Sequence, residues 1–257
     1  MISVIKHRDL KKVKAVLFDF DGTLSTLRCG WEKVMRELML ELLGSGLEKE
    51  IDKYIDESTG IQTVHQMAWL RNKILEKSSS ALGVWEYKDE YNKRLIKSIE
   101  HRTNDLKNGA DPQSYMLTGT AEFLESLKKL NVKLYLASGT DHCDMSKEAE
   151  LLGLSHCFDL ILGAPEREAS CSKEAVMRRL IEKESLCPSE LAVIGDGKVE
   201  IALAVEYGAY PLGVASDELA REGINPAKRS RLINAGAAAV IGDFKELDEI
   251  LGVLGIC

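Results

Sequence analysis

The sequence predicts an α/β protein: a doubly wound, Rossmann-like parallel sheet that carries an inserted α-helical domain. Three observations lead to this prediction. They are short apolar runs without polar alternation, amphipathic helical patterns between most of these runs, and one long helical interruption after the first run. Continuous Val, Ile and Leu runs are typical of parallel strands covered on both faces. Strands that alternate with helices along the chain favour a single sheet with helices on both sides.

Six apolar runs are the predicted strands. They occupy residues 15–19, 132–138, 158–163, 191–196, 210–216 and 238–243. Helical stripes separate most of them: Phe123, Leu124 and Leu127 recur on one face of the first, and Val176 and Leu180 on one face of another. This spacing of three and four residues indicates helices that bury one side against a sheet.

The stretch between the first and second strands breaks the alternation. It is more than a hundred residues long and mostly helical in pattern, with apolar residues repeating at Trp31, Val34, Met35 and Leu38. We therefore predict two domains: a catalytic core from residues 1–26 and 114–257, and a helical insertion from residues 27–113 that grows out of the first strand's exit loop.

Composition narrows the possible functions. The 257 residues carry a net charge of −7, which argues against a general nucleic-acid binder because such proteins present a basic face to phosphates. The six cysteines show neither CxxC spacing nor a zinc pattern, so we expect free thiols in a reducing cytosol. No apolar run resembles a signal peptide or reaches the roughly 18 residues of a membrane span. These features predict a cytoplasmic protein without membrane or nucleic-acid partners.

Polar side chains follow the predicted strands where each strand ends. The segment "AVLFDFDGTLS" delivers Asp19 and Asp21, the second strand ends at Ser138 and Gly139, and the fourth ends at Asp196. Ligands of open α/β sheets bind beyond the carboxyl ends of the strands. If these strands are neighbours, their polar ends converge on one pocket.

Glu200 follows Asp196 by four residues, so the two carboxylates share one face of a helix that starts there. Three or four acids would then crowd a small space, where like charges repel strongly. A cation relieves this repulsion, and a partly hydrated site of oxygen ligands suits Mg²⁺ better than zinc. The predicted metal ligands are Asp19, Asp21, Asp196 and Glu200.

Lys173 would add a second positive charge near the start of a predicted helix. Together with the metal and the hydroxyls of Thr23 and Ser138, it makes a pocket that favours a phosphate group. Asp19 is the better candidate for a nucleophile that forms an aspartyl phosphate, and Asp21 for the general acid and base.

Four ordered segments, "DFDGTLS", "LASGT", Lys173 and "VIGDGKVE", resemble the four motifs of the haloacid dehalogenase superfamily. The resemblance covers residues 15–24 and 132–243, and the insertion lies where that superfamily carries a helical cap. The chain is similar to the phosphoglycolate phosphatase and β-phosphoglucomutase branch.

This resemblance implies that Asp19 is the nucleophile and Asp21 the acid and base. It implies an Mg²⁺ ion held by Asp19, the backbone carbonyl of Asp21 and Asp196, with Glu200 nearby. The superfamily's dehalogenases lack an acid at the position of Asp21 and its ATPases carry Thr there, so Asp21 points to phosphoryl transfer with rapid turnover.

The resemblance also implies that Ser138 and Lys173 bind the transferred phosphate. Two departures stand out: Glu174 follows the motif lysine where many relatives have proline, and Glu200 replaces a frequent aspartate. The second departure leaves open whether Glu200 touches the metal directly.

The leading prediction is a Mg²⁺-dependent phosphomonoester hydrolase acting on a small phosphorylated metabolite, with a sugar phosphate as one option. A phosphomutase and a phosphate-sensing module without turnover are the alternatives. Gly139 is a further phosphate-binding candidate. Arg28 is either a substrate ligand or a surface arginine, and Trp31 is interpreted as core. Lys228, Arg229 and Arg231 are interpreted as a solvated face.

Overall fold

The computed structural model describes residues 2–6, 12–169 and 173–256. Its centre is a seven-stranded sheet with the strand order β1-β7-β6-β5-β2-β3-β4. The strands are β1 (Ser3–Val4), β2 (Ala15–Phe18), β3 (Lys133–Asp141), β4 (Leu160–Ala164), β5 (Leu191–Gly195), β6 (Tyr210–Val214) and β7 (Ala239–Ile241). Strands β2 to β7 are parallel, and each corresponds to one predicted run. The short β1, which pairs antiparallel with β7, is the strand that the sequence analysis missed.

Ten α-helices accompany the sheet in the described part of the chain. They are α1 (Trp31–Leu43), α2 (Glu48–Glu57), α3 (Thr63–Leu75), α4 (Val84–Lys107), α5 (Thr120–Lys129), α6 (His142–Leu151), α7 (Lys173–Lys183), α8 (Lys198–Glu206), α9 (Pro226–Asn234) and α10 (Leu247–Val253). None of these helices is both long enough and apolar enough to cross a membrane.

Strand β2 shows why the sheet is covered on both faces. Val16 and Phe18 pack into a core with α5, α6 and α10, whereas Ala15 and Leu17 point to the opposite side and pack with α7 and α8. Successive side chains of a strand alternate between faces, so a fully apolar run needs a helical layer on each. The predicted doubly wound α/β fold is confirmed.

Helices α1 to α4 lie between β2 and β3 and form an apolar core of their own. Its buried members include Met35, Leu38, Met67 and Tyr91. The long helix α4 is tied back to the linker that follows β2, because the guanidinium of Arg102 donates to the carbonyls of Leu27 and Cys29, at 2.7 and 2.9 Å. The helical insertion is therefore present, while its exact limits at 27 and 113 stay a prediction.

Strand order places the carboxyl end of β2 between those of β5 and β3. Phe18 is in register with Ile194 on one side and with Leu136 on the other, so β2 and β5 end at nearly the same level while β3 continues beyond them to Asp141. The chain runs outward from β2 through β3 and β4, then returns to β5 and continues in the other direction. The β2–β5 boundary is thus the topological switch point, where sheets of this kind bind ligands.

Cys29, Cys143, Cys157 and Cys187 are not in disulfides. Cys171 and Cys257, which were predicted to be thiols as well, lie outside the described residues.

Candidate active site

Three buried carboxylates meet at the switch point. One oxygen from each of Asp19, Asp196 and Glu200 lies within 4.8 Å of the other two. Asp19 follows β2, Asp196 follows β5, and Glu200 lies in the first turn of α8. The N–H of Gly197 donates to Glu200 Oε1 at 2.7 Å, which fixes this carboxylate at the start of the helix. The predicted convergence of Asp19 and Asp196 is therefore observed.

Lys173 lies inside this acidic cluster. Its Nζ is 2.7 Å from Asp19 Oδ1 and 3.2 Å from Glu200 Oε2. Burial alone would lower the pKa of Lys173, but the charges of Asp19 and Glu200 outweigh it and the net shift is upward. Burial raises the pKa of Asp19 well above its usual range, and only the nearby Lys173 opposes this. Lys173 thus contacts two of the three carboxylates; Lys228 contacts Asp196 and a fourth carboxylate, Glu218, so negative charge remains in excess.

That excess charge and the donor set fit a divalent cation. All three groups offer carboxylate oxygens, the ligands that Mg²⁺ prefers, and they are too close together to remain ionised without compensation. Asp19 and Asp196 are the residues placed to hold such an ion, and Glu200 lies beside them.

Asp21 also lines the cavity but has a different set of partners. Its Oδ2 accepts hydrogen bonds from Thr140 Oγ1 at 2.9 Å and from Ser138 Oγ at 3.4 Å. Its Oδ1 is buried and has no hydrogen-bond partner among the described residues. One oxygen is therefore anchored by hydroxyls while the other remains available for proton transfer.

The turn between these aspartates depends on a glycine. Gly22 adopts φ +73°, in the left-handed region that glycine tolerates best. A Cβ at this position would lie 2.4 Å from Asp196 Oδ2. The glycine therefore allows both the turn after β2 and the close approach of Asp196.

The phosphate-binding candidates fall into two groups. Ser138 and Gly139 line the cavity at the end of β3. Gly139 also faces the helical insertion, because a Cβ there would lie 3.2 Å from the carbonyl oxygen of Ile61. Thr23, in contrast, is fully buried and does not line the cavity. The structure therefore does not place Thr23 among the residues that line the cavity with Ser138 and Gly139.

Arg28 lines the cavity and is buried, which rules out the surface interpretation. Its Nη2 and Nε hold Glu148 Oε1 and Oε2 at 2.7 and 3.0 Å. Burial raises the pKa of Glu148, and the charge of Arg28 opposes that shift. Sequence reasoning missed Glu148 because it lies 120 residues further along the chain, on α6.

The interpretation of Lys228 as part of a solvated face is wrong. Lys228 is buried, and its Nζ is 2.8 Å from Asp196 Oδ2 and 2.5 Å from Glu218 Oε1. Burial raises the pKa of Glu218 to about 7, against the opposing charge of Lys228. The side chain of Asn225 accepts from the N–H groups of Ala227 and Lys228 and so caps α9, whose first turn carries Lys228 inward.

Its neighbour Arg231 is also not a solvated residue. Its side chain is only 16% exposed, and Nη1 contacts Asp56 Oδ1 of α2 at 2.8 Å. A polar contact therefore joins α9 of the core to the helical insertion on this side of the cavity.

The helical insertion supplies the outer wall of the cavity. Besides Arg28, the lining residues from this part are Trp31, Thr59, Gly60, Ile61, Thr63, Gln66, Tyr91 and Leu95. Trp31 packs partly against the insertion's core, as predicted, but it also faces the cavity. The cavity has a volume of about 90 Å³ and is partly open to solvent.

Comparison with known proteins shows which family the chain matches. The model of the haloacid dehalogenase-like hydrolase family matches residues 13–208. A phosphoglycolate phosphatase from Neisseria gonorrhoeae is 24% identical over 209 residues, which cover 80% of this chain and 81% of that protein.

Solved structures support the same fold. The chain is similar to a β-phosphoglucomutase from Clostridium difficile, with a TM-score of 0.66, 17% identity and coverage of 94% of this chain and 97% of that one. A predicted phosphoglycolate phosphatase from Haemophilus somnus gives a TM-score of 0.63 and 19% identity, with 93% and 98% covered.

Proposed function

Because the chain belongs to the haloacid dehalogenase-like hydrolase family, we propose that it is a Mg²⁺-dependent phosphomonoesterase acting on a small phosphorylated metabolite. The observation that supports this most directly is the arrangement of Asp19, Lys173 and Asp196 around one cavity, which is also lined by Asp21, whose Oδ1 accepts no hydrogen bond from the described residues. The phosphoglycolate phosphatase relative agrees with a phosphate ester as substrate. We place the reaction in the cytoplasm.

The reaction proceeds in two steps. A carboxylate oxygen of Asp19 attacks phosphorus, the bond from phosphorus to the ester oxygen breaks, and Asp21 gives its proton to the leaving alcohol. Asp21, now ionised, takes a proton from water, which attacks the aspartyl phosphate. Inorganic phosphate leaves, Asp19 is a carboxylate again, and Asp21 is protonated for the next turnover.

The remaining groups bind the phosphoryl group. The ammonium of Lys173 offsets negative charge on its oxygens, and the end of β3 at Ser138 and Gly139 offers hydrogen-bond donors. Mg²⁺, when held by Asp19, the carbonyl of Asp21 and Asp196, supplies further positive charge for the transferred group. The helical insertion, residues 27–113, acts as a cap that limits the access of bulk water.

The test is hydrolysis of p-nitrophenyl phosphate in Mg²⁺ buffer by the wild type and by Asp19→Asn. We expect the substitution to lower kcat by at least about a thousandfold, because an amide does not replace the attacking carboxylate. Asp52→Asn is the matched control, since Asp52 lies on α2 and its side chain is 52% exposed. Its activity should equal that of the wild type.

Other outcomes would refute the proposal. Near-normal activity of Asp19→Asn would exclude this nucleophile. Ester binding without release of phosphate by the wild type would favour the sensing module, and a requirement for a bisphosphate activator with little free phosphate would favour a phosphomutase.

A further inference from the structure

The guanidinium of Arg28 is surrounded by carboxylates on the cavity wall. Glu148 holds it with both oxygens, at 2.7 and 3.0 Å. Asp21 Oδ1 lies 3.8 Å from Nε, and Asp144 Oδ2 lies 3.9 Å from Nη2. Arg28 and Glu148 are both buried, so solvent screens their interaction weakly.

The charges in this group do not sum to zero. One guanidinium faces Glu148, Asp144 and Asp21, and two carboxylates still oppose it when Asp21 carries the proton that it gives to the leaving group. A negatively charged part of a substrate would therefore gain little attraction from Arg28, although an arginine lies at the wall. Neutral groups do not depend on such attraction.

Uncharged polar and aromatic side chains form the neighbouring wall. Trp31 and Tyr91 offer aromatic faces, and Thr63 and Gln66 offer a hydroxyl and an amide. Such side chains suit the hydroxyl groups and carbon skeleton of an uncharged alcohol.

We propose that Glu148 is a specificity-determining residue. By holding Arg28 with both oxygens, it cancels the positive charge that would otherwise attract a substrate carboxylate. The enzyme then favours phosphate esters of uncharged alcohols, such as polyols and sugars, over esters that bear a carboxylate. This inference rests on the proposed phosphatase function, and it deepens that proposal by naming the leaving group.

Two probes isolate the charge of the leaving group. 2-Hydroxyethyl phosphate and 2-phosphoglycolate have the same number of carbons, but one ends in a hydroxymethyl group and the other in a carboxylate. We expect the wild type to show a kcat/KM for 2-hydroxyethyl phosphate at least about tenfold higher than for 2-phosphoglycolate. Tenfold corresponds to about 1.4 kcal/mol in transition-state binding.

The variant Glu148→Gln keeps the shape of the side chain and removes its charge. It should lower this preference about tenfold, mainly by raising kcat/KM for 2-phosphoglycolate. Glu150→Gln is the matched control, because Glu150 is exposed on the same helix, and it should keep the wild-type ratio. A residue that only stabilised the fold would change both rates together and leave the ratio unaltered.

The following results would contradict the role of Glu148 in specificity. A wild type that prefers 2-phosphoglycolate overturns the inference without any variant, even if Glu148→Gln does not fold. An unchanged ratio in folded Glu148→Gln overturns it as well. If the wild type hydrolyses both probes but prefers 2-phosphoglycolate, only the inference fails and the proposed phosphatase function stands. If it hydrolyses neither probe and does not hydrolyse p-nitrophenyl phosphate, both the function and the inference are refuted.

Discussion

Gly22 shows how one residue serves both the backbone and the chemistry of this site. Its positive φ turns the chain after β2, and its missing side chain leaves room for Asp196 Oδ2, which a Cβ would approach to 2.4 Å. Replacing it by alanine therefore has two separate consequences: backbone strain and displacement of a carboxylate that is placed to hold the metal.

We predict that Gly22→Ala destabilises the fold by about 1–2 kcal/mol through strain and lowers phosphatase activity at least about tenfold through the clash. Urea unfolding and p-nitrophenyl phosphate hydrolysis measure the two effects. Gly153→Ala is the control, because Gly153 has a similar φ of +69° but nothing within 4 Å of the added Cβ. It should show the loss of stability with normal activity, and equal activity in both variants would contradict the role of the clash.

Helices and strands show which parts of the structure a sequence reveals. The six parallel strands were predicted because a buried strand needs a continuous apolar run, which is a local property of the chain. Asp19 and Asp196 were predicted as site residues because each directly follows such a strand, and Lys173 because it lies at the start of a helix. Positions fixed by local pattern are therefore well predicted.

Residues whose role depends on distant partners were not found. Lys228 occurs in a basic stretch that looks like a solvated helix face, and only the direction of α9 reveals that it contacts Asp196. Glu148 looks like any helix acid until Arg28 is placed beside it. Thr23 is fully buried and is not among the residues that line the cavity, which its position next to Asp21 and Gly22 in the sequence does not reveal.

Helix α4 contacts the core at the rim of the cavity. Lys88 and Asn92 of this helix both donate to Asp141 at the end of β3, and the Asn92 contact is 2.7 Å long. The buried Lys88 thus joins the helical insertion to a strand that carries phosphate-binding candidates. This pair is placed to hold the insertion over a bound substrate.

We predict that Lys88→Met raises KM for p-nitrophenyl phosphate about tenfold while changing kcat less, because the insertion closes less tightly over the bound ester. Steady-state kinetics measure both parameters. Asp56→Asn breaks a different core–insertion contact, the ion pair with Arg231, but the side chain of Asp56 is 67% exposed and such pairs contribute little. The KM of that control should differ from the wild-type KM by less than about twofold. If Lys88→Met has the same KM as the control, Lys88 does not hold the insertion closed over the substrate.

At the scale of the whole molecule, the fold brings more carboxylates than ammonium groups together at the carboxyl ends of the strands. The ion pairs of Lys173 and Lys228 with Asp19, Asp196, Glu200 and Glu218 still leave carboxylates in excess. Burial makes this arrangement costly, and loss of a compensating partner in such clusters costs several kcal/mol. A bound divalent cation should therefore stabilise the native state as a whole, since an unfolded chain does not assemble these oxygens.

We accordingly predict that Mg²⁺ raises the melting temperature by about 5 °C or more at a hundred times its Kd, where binding contributes about 2.7 kcal/mol. Differential scanning fluorimetry with and without Mg²⁺, at ionic strength matched with KCl, measures this shift. Asp196→Asn should lose most of the shift, because it removes a carboxylate placed at the metal site, whereas exposed Asp52→Asn should keep it. A full shift in Asp196→Asn would mean that the ion binds elsewhere, and the acidic cluster would then owe its compensation to Lys173 and Lys228 alone.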